Sequence, residues 1–310
     1  MKLSCVEPLG ISQEQFELLK AEFESKGHTF DYYTDRNEDP EALVGRIADA
    51  DVAVISNIKL SADTLSKCPN LKFLSVAFTG LDHIDLAYCK EHNIEVRNAA
   101  GYSTVAVSEL AIGLMIDVLR HVTELHNNTL MGMTREGFLG RELHGKTVGV
   151  VGTGAIGTAT IRLLIAFGCK VLAYSRTERD EVKALGAQYV SLEELLRNSD
   201  IVTLHVPLNG ETTHLIDAEQ INMMKPSAIL INTARGNVVN IPALSAALYE
   251  GRIAGAGIDV YEKEPPLEEE HPLCQVDNCV LVPHIGYATR EAFDIRAGIV
   301  FDSVREFLNR

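Results

Sequence analysis

Three glycines at fixed spacing form a pattern that could let the backbone bind phosphate groups. Gly152, Gly154 and Gly157 follow the apolar segment 147–151, and a run with helical spacing of apolar residues comes next. In this pattern the first glycine permits a tight turn, the second lets backbone approach a pyrophosphate, and the third lets helix and strand pack closely. The helix N-terminus offers unpaired N–H groups and a partial positive charge to phosphates. The pattern therefore predicts a dinucleotide site.

The residues after the next apolar segment bear on which dinucleotide is bound. An Asp or Glu there would accept hydrogen bonds from both ribose hydroxyls and select NAD. The segment 170–174 ends instead in Ser175, Arg176 and Thr177, and no carboxylate occurs before Glu178. Arg176 can pair with a 2′-phosphate, and the two hydroxyl groups can hydrogen-bond to it. These residues favour NADP(H), whereas an Arg176 stacked on adenine would be compatible with NAD(H).

Three further polar side chains stand shortly after apolar segments. Arg235, Glu264 and His284 are expected to converge, because ligands bind beyond the carboxyl ends of the strands in a doubly wound sheet. Hydride transfer to a 2-keto acid needs a cation for the carboxylate and a proton donor for the carbonyl oxygen. Arg235 suits the first need and His284 the second. A carboxylate such as Glu264 beside the imidazole would favour its protonated form and fix its orientation.

The segments around these residues follow the β-α-β pattern of parallel sheets. Short apolar runs alternate with helical periodicity, and this alternation starts again after residue 145, so we predict two α/β units with a boundary near 98–101. One long helix is predicted at 104–125. A terminal helix at 290–308 has no strand after it and is expected to pack back on the first unit.

The glycine segment and the segments around Arg235, Glu264 and His284 resemble the D-isomer-specific 2-hydroxyacid dehydrogenase family, over about residues 53–286. That family includes D-lactate, glycerate and phosphoglycerate dehydrogenases and glyoxylate/hydroxypyruvate reductases. The resemblance implies that Arg235 binds and polarises the keto acid, that His284 is the acid/base, and that Glu264 is its partner. It also implies a homodimer built around the nucleotide domain.

The resemblance implies an α/β fold of two Rossmann-like doubly wound parallel-sheet domains, the smaller one discontinuous. Residues 1–98 plus 288–310 would form a flavodoxin-like substrate domain, and residues 99–287 the NAD(P)-binding Rossmann domain. Asp259 matches a position near the nicotinamide carboxamide, and the loop from His205 resembles one over the nicotinamide ribose. The expected cofactor set is Gly152, Gly154, Ala155, Ile156, Gly157, Ser175, Arg176, Thr177, Thr104, His205, Val206, Pro207, Thr212, Thr233, Ala234, Asp259 and Gly286. Thr104 could equally be an ordinary helix cap.

The loop 76–82 resembles the family's substrate loop, in which backbone N–H groups near Thr79 and Gly80 would hold the substrate carboxylate. Phosphoglycerate dehydrogenases tend to place an Arg where this chain has Asn57, so an unphosphorylated substrate is favoured. We expect reduction of small 2-keto acids of the glyoxylate/hydroxypyruvate type, with an NAD-dependent D-3-phosphoglycerate dehydrogenase as the enzyme alternative. The expected substrate-binding residues are Asn57, Phe78, Thr79, Gly80 and Tyr102.

The composition excludes several other classes of protein. The chain has 310 residues, of which 46% are hydrophobic and 23% charged, and these values are typical of a globular protein of about two domains. A net charge of −15 argues against a general nucleic-acid or membrane binder, which needs clustered Lys and Arg. The six cysteines form no C-x-x-C pair and no zinc spacing, so no metal is expected. With no membrane span or signal-like segment, a cytoplasmic location is expected.

A dinucleotide-sensing binding protein that is not an enzyme is the alternative from another functional class. Some relatives of this fold sense dinucleotides as transcriptional corepressors and bind partners instead of turning over a metabolite. The presence of Arg235, Glu264 and His284 together favours an enzyme.

Overall fold

A five-stranded parallel sheet forms the first part of the fold in a computed structural model that describes residues 1–263 and 266–310. Its strands are β1 (Lys2–Cys5), β2 (Thr29–Tyr32), β3 (Val52–Ile55), β4 (Phe73–Val76) and β5 (Glu95–Asn98). The strand order is β2-β1-β3-β4-β5. The order reverses where β1 and β3 lie side by side, and such a reversal opens a crevice at the carboxyl ends of the strands.

The helices of this part begin at recognisable caps. They are α1 (Gln13–Ser25), α2 (Pro40–Ile47), α3 (Ala62–Ser66) and α4 (Leu86–Glu91). The Ser12 hydroxyl accepts the Gln15 N–H, and the Gln15 side chain accepts the Ser12 N–H, which makes a capping box at the start of α1. Asp39 caps α2, and Pro40 occupies the first helical position, where its missing N–H costs nothing.

A seven-stranded parallel sheet forms the second part. Its strands are β6 (Thr147–Val151), β7 (Lys170–Tyr174), β8 (Gln188–Tyr189), β9 (Ile201–Leu204), β10 (Ile229–Asn232), β11 (Gly255–Ile258) and β12 (Cys279–Leu281). Their order is β12-β11-β10-β9-β6-β7-β8, with the reversal between β6 and β9. Every residue of β9, β10 and β11 is buried, as expected for parallel strands covered by helices on both faces.

Helices cover both faces of this larger sheet. They are α5 (Thr104–Arg120), α6 (Val122–Leu130), α7 (Ala155–Ala166), α8 (Asp180–Ala184), α9 (Leu192–Asn198), α10 (Ala218–Met223) and α11 (Ile241–Tyr249), with short 3-10 helices at Gly236–Val238 and Pro272–Gln275. One apolar core includes Leu204, Leu230 and Leu244, and the other includes Met115, Ile161 and Ile231.

The described residues divide into two compact units. Met1–Ser103 and Ala288–Arg310 form the smaller unit, and Thr104–Tyr287 form the larger unit. The last helix, α12 (Arg290–Leu308), packs on β4 within the smaller unit, where the hydroxyls of Ser303 and Ser75 are 2.8 Å apart. The expected α/β fold of two doubly wound parallel sheets, with the smaller unit discontinuous, is confirmed.

Local details differ from the sequence predictions. The strands β2, β5 and β8 were not predicted, because the first two mix polar with apolar residues at partly exposed positions and the third has two residues. The helix predicted at 104–125 breaks at His121, whose φ of 55° lies in the left-handed region. Among the described residues, no helix is both long enough and apolar enough to cross a membrane.

Candidate active site

The glycine loop after β6 has the geometry that its sequence predicts. Gly152 has a φ of 98°, and a Cβ there would collide with the carbonyl oxygen of His205, at the end of β9. A Cβ on Gly157 would collide with the carbonyl oxygen of Gly152, so α7 packs directly on the turn. At Gly154, which precedes α7, a Cβ would meet none of the described atoms within 4 Å. The glycine loop is therefore tightly packed at Gly152 and Gly157. At Gly154, beside the N-terminus of α7, space remains.

A tyrosine that the sequence did not single out holds this loop. The Tyr189 hydroxyl in β8 donates a hydrogen bond to Thr153 Oγ1 at 2.8 Å and accepts one from the Arg179 N–H at 3.1 Å. The second glycine of the loop follows Thr153 directly. Tyr189 thereby links the glycine loop to the segment that begins α8.

The segment after β7 places Arg176 at the surface with an acidic partner. Its Nη1 atom lies 2.6 Å from a carboxylate oxygen of Glu211, and the two side chains are 72% and 71% exposed. Glu211 belongs to the loop that follows β9, and no local pattern predicted its contact with Arg176. An ion pair this exposed is worth at most about 1 kcal/mol, so a phosphate could compete for Arg176.

Two buried polar atoms lie in the loops after β9 and β10 without a hydrogen-bond partner in the described part of the chain. They are His205 Nδ1 and Thr233 Oγ1. Unpaired buried polar atoms are costly unless a ligand or water satisfies them. A polar ligand bound along these strand ends would supply partners, and an open helix N-terminus beside them suits its phosphates. The residues present therefore fit a bound dinucleotide.

The imidazole of His205 is held in its neutral form. Burial lowers its pKa to about 4, because a charged ring would lose its solvation. Its Nε2 atom lies 3.1 Å from Thr203 Oγ1. His205 is thus a neutral polar group at neutral pH.

A buried asparagine shapes the turn that carries Arg235. Asn232, at the end of β10, is fully buried; its Nδ2 donates to the Arg235 carbonyl at 2.9 Å, and its Oδ1 accepts the Ala234 N–H at 3.0 Å. The following Gly236 leaves no room for a Cβ, because the backbone of Tyr261 lies against it. The loops after β10 and β11 are therefore in direct contact.

The turn that carries His284 rests on Asp259, at the end of β11. The Asp259 carboxylate is buried and accepts the N–H groups of Ile285 at 2.6 Å and Gly286 at 2.9 Å. His284 itself has a φ of 54°, an unusual conformation for a non-glycine residue that the surrounding contacts must hold. The Tyr261 hydroxyl adds a hydrogen bond to the Val282 carbonyl at 3.0 Å.

The predicted residues of the larger unit thus gather at one edge of its sheet. Gly152, Ser175, His205, Thr233 and Asp259 directly follow β6, β7, β9, β10 and β11. Thr104 begins α5, and the Thr212 hydroxyl donates to the Pro207 carbonyl at 2.6 Å, which folds the loop after β9. Glu264 lies outside the described residues. Across 1–263 and 266–310, no cluster of three His, Cys, Asp or Glu residues is placed to hold a metal ion.

The predicted substrate residues of the smaller unit also follow strand ends. Asn57 lies two residues beyond β3, and Phe78, Thr79 and Gly80 follow β4. The Thr79 carbonyl accepts a hydrogen bond from Asn98 Nδ2 at 2.6 Å. Tyr102 is buried against the guanidinium of Arg296, 5.7 Å from the ring centre.

Comparison with known proteins identifies the family. Residues 112–286 match the model of the D-isomer specific 2-hydroxyacid dehydrogenase NAD-binding domain. The chain is 41% identical over 271 residues to a glyoxylate reductase of Thermococcus litoralis (84% of this chain, 81% of that one). It is 39% identical over 264 residues to a hydroxypyruvate reductase of Thermotoga maritima (84% and 85%).

A solved structure agrees with these relatives. The D-lactate dehydrogenase of Aquifex aeolicus, complexed with NAD and lactic acid, superposes with a TM-score of 0.87 at 32% identity and covers 100% of this chain and 96% of that one. These comparisons confirm the expectation that the chain is an oxidoreductase with a nicotinamide dinucleotide cofactor. The chain belongs to the D-isomer specific 2-hydroxyacid dehydrogenase family.

Proposed function

We propose that this protein reduces small 2-keto acids of the glyoxylate/hydroxypyruvate type to the corresponding 2-hydroxy acids. The observation that carries the proposal is the arrangement at one sheet edge, where Asn232 fixes the turn of Arg235 and Asp259 fixes the turn of His284. A guanidinium and an imidazole carried by loops at the same edge of one sheet match the two groups that the reaction needs. The relatives named glyoxylate and hydroxypyruvate reductase support the same substrate type.

Each catalytic side chain has one role in the proposed reaction. Arg235 binds the carboxylate of the keto acid and polarises its carbonyl group, since a planar guanidinium matches a carboxylate. His284 donates a proton to the carbonyl oxygen as the carbonyl carbon is reduced. Glu264 is the proposed partner that favours the protonated imidazole. When bound, the reduced nicotinamide supplies the hydride.

NADP(H) is the proposed cofactor, with NAD(H) as the alternative. The proposal rests on the absence of a carboxylate at the end of β7 and on Arg176, whose exposed pairing with Glu211 a 2′-phosphate can displace. The proposed cofactor contacts also include Ser175 and Thr177.

A homodimer is proposed to form on the larger unit through α6 and the residues after it. No residue of α6 is buried. Five large apolar side chains along this stretch are each exposed over at least 51% of their surface: Val122, Leu130, Met131, Met133 and Leu139. Several exposed apolar side chains in one stretch are typical of a protein–protein interface. A second copy of the chain would cover it.

A cytoplasmic location is also proposed, because all six cysteines are free thiols. Among them, Cys5, Cys68, Cys89 and Cys169 are buried.

A panel of purified-enzyme assays tests the proposed reaction. NADPH and NADH would each be combined with glyoxylate, hydroxypyruvate, pyruvate, phenylpyruvate and 3-phosphohydroxypyruvate. We expect the highest kcat/KM with glyoxylate or hydroxypyruvate and NADPH. A clear preference for 3-phosphohydroxypyruvate with NADH would support the phosphoglycerate dehydrogenase alternative and contradict the proposal.

A further inference from the structure

The register of the larger sheet places a tyrosine beside the glycine loop. β8 is an edge strand, and its Tyr189 pairs with Ala173 of β7, which in turn pairs with Val150 of β6. The glycine loop begins two residues after Val150. The tyrosine ring packs on the apolar core that includes Ile161. Tyr189 is therefore anchored near the carboxyl ends of these strands, where the glycine loop begins.

The hydrogen bonds of the Tyr189 hydroxyl have fixed directions. The Arg179 N–H, at 3.1 Å, can only donate, so the Tyr189 oxygen must accept from it. The hydroxyl proton is then donated to Thr153 Oγ1, 2.8 Å away. One hydroxyl group thus joins the glycine loop after β6 to the end of the segment 175–179, which follows β7.

Thr153 is the residue through which this contact acts on the glycine loop. It is 1% exposed and lies between Gly152 and Gly154. Its carbonyl oxygen accepts the hydroxyl of Thr158, in α7, at 3.2 Å. The Gly152 N–H donates to the Tyr174 carbonyl at 2.7 Å. Three hydrogen bonds therefore connect the start of the loop to β7, to α7 and, through the Thr153 side chain, to β8.

The hydroxyl of Tyr189 can be removed without disturbing the rest of its contacts. Of the three hydrogen bonds, only the one from Tyr189 to Thr153 joins two side chains, so its loss breaks no bond between backbone groups. The ring would stay in place, because it packs on the core and lies 5.9 Å from Lys183 Nζ. Phosphates bind to N–H groups that point in fixed directions, so freer rotation of the peptide units around Thr153 should weaken their binding.

We propose that Tyr189 is a positioning residue for the dinucleotide: through Thr153, it holds the backbone of the glycine loop in the orientation that binds the pyrophosphate. This role requires no contact between Tyr189 and the cofactor. NAD(H) and NADP(H) share the pyrophosphate, so the inference depends neither on the cofactor preference nor on which keto acid is reduced.

The ratio of the Kd for AMP to the Kd for ADP isolates recognition of the pyrophosphate, because AMP lacks the second phosphate group. Titration calorimetry on the full chain measures both constants. For the wild type we expect a ratio of about 10 or more, since charge-assisted hydrogen bonds to a phosphate are strong. Tyr189→Phe should lower this ratio roughly three- to tenfold, and it should raise the Kd values for NADH and NADPH by a similar factor.

Substitutions at Thr153 test the path from Tyr189 to the loop. Thr153→Val keeps the shape of the side chain but offers no oxygen, so it should lower the ratio as Tyr189→Phe does. The double variant should bind no worse than Thr153→Val alone, because both substitutions remove the same hydrogen bond. Thr153→Ser keeps the oxygen, and its ratio should stay within about twofold of the wild-type ratio.

Tyr32→Phe is the matched control. Tyr32 also lies partly exposed on an edge strand, β2 of the smaller unit, where its ring packs on Phe16. Its ratio should stay within about twofold of the wild-type ratio, because the loss of a hydroxyl there affects stability only. Thermal unfolding of each variant reports any loss of stability separately from the Kd values.

The outcomes separate this inference from the proposed function. Wild-type ratios in both Tyr189→Phe and Thr153→Val would overturn the inference. An equal rise in the Kd values for AMP and ADP in Tyr189→Phe would also overturn it, since the effect would then not concern the pyrophosphate. These measurements need no keto acid. A protein that shows the expected ratios but reduces none of the tested acids would therefore support the inference and contradict the proposed function.

Discussion

The carboxylate of Asp259 accepts the backbone N–H of Gly286 at 2.9 Å, across the carboxyl edge of the larger sheet. The same carboxylate accepts the Ile285 N–H at 2.6 Å, so both residues after His284 are fixed by one buried side chain. His284 is held with a φ of 54°. The position of the proposed acid/base thus depends on a contact that connects β11 to the loop after β12.

Asp259→Asn should lower kcat by roughly 10–100-fold, because an amide offers one acceptor to the two N–H groups and the His284 turn shifts. Loss of a buried charge-assisted bond should also lower the free energy of unfolding by about 1.5–3 kcal/mol. Steady-state kinetics and urea unfolding check the two effects. Gly286→Ala is an independent test, since its Cβ would lie 2.8 Å from Asp259 Oδ2.

A matched control exists at the opposite edge of the same sheet. Asp200 precedes β9 and accepts the Thr147 N–H at 2.9 Å. Asp200→Asn should lower stability while kcat stays within about twofold of the wild-type value, because no proposed site residue contacts it. Equal losses of kcat in the Asp200 and Asp259 variants would show that Asp259 acts only through stability.

Arg176→Ala should lower the ratio of kcat/KM for NADPH to that for NADH by about tenfold or more, because the 2′-phosphate loses its cationic partner. Glu211→Gln should raise the same ratio roughly twofold, because it frees Arg176 and removes a repulsive carboxylate. Arg197→Ala, which breaks an exposed pair on α9, is the control. Unchanged ratios in the Arg176 variant would contradict the proposed cofactor preference.

Desolvation of the His205 ring makes the stability of the fold depend on pH. Its pKa is lowered from 6.5 to about 4 in the folded chain, so the unfolded chain binds more protons between these values. The contribution of neutral His205 is complete above about pH 6.5 and is lost as pH falls towards 4. We expect His205→Gln to reduce the stability difference between pH 7 and pH 5 by about 2 kcal/mol in urea unfolding. An identical difference in both proteins would contradict the lowered pKa of His205.

Leu130→Glu combined with Met131→Glu should convert the proposed dimer to a monomer, because two charges would enter an apolar interface. Light scattering coupled to size exclusion measures the change in mass. Tyr249→Glu is the control, since Tyr249 is a large side chain on the same unit that is 83% exposed. A monomeric wild type, or a dimer that survives the double substitution, would contradict the proposed surface.

The sequence predicted the strand-end positions of Gly152, Arg235 and His284 because apolar runs and turn residues are local signals. It did not predict that Asp259 supports Gly286, or that Tyr189 supports Thr153, since such contacts join residues 27 and 36 positions apart. The edge strand β5 was missed because its half-buried residues include Glu95 and Arg97 and show no apolar run.

The break between α5 and α6 shows a further limit of sequence patterns. The apolar spacing continues through His121, and it predicted one helix to residue 125. The helix ends at Arg120 because His121 adopts a left-handed conformation, and the Thr123 N–H is instead taken by Asp117 at 2.8 Å. Periodicity reports which face is apolar but carries no signal for such a turn.

The proposed division of roles assigns the reduction to Arg235 and His284 and the binding of the dinucleotide to the glycine loop. It is tested most directly by measuring kcat for hydroxypyruvate and the Kd for NADPH in the same preparations of wild type, His284→Ala and Arg235→Ala. We predict that each substitution lowers kcat by about 10²–10⁴-fold, the range of a lost acid/base or orienting group, while Kd stays within about threefold. Near-normal turnover in either variant would contradict the role assigned to that residue.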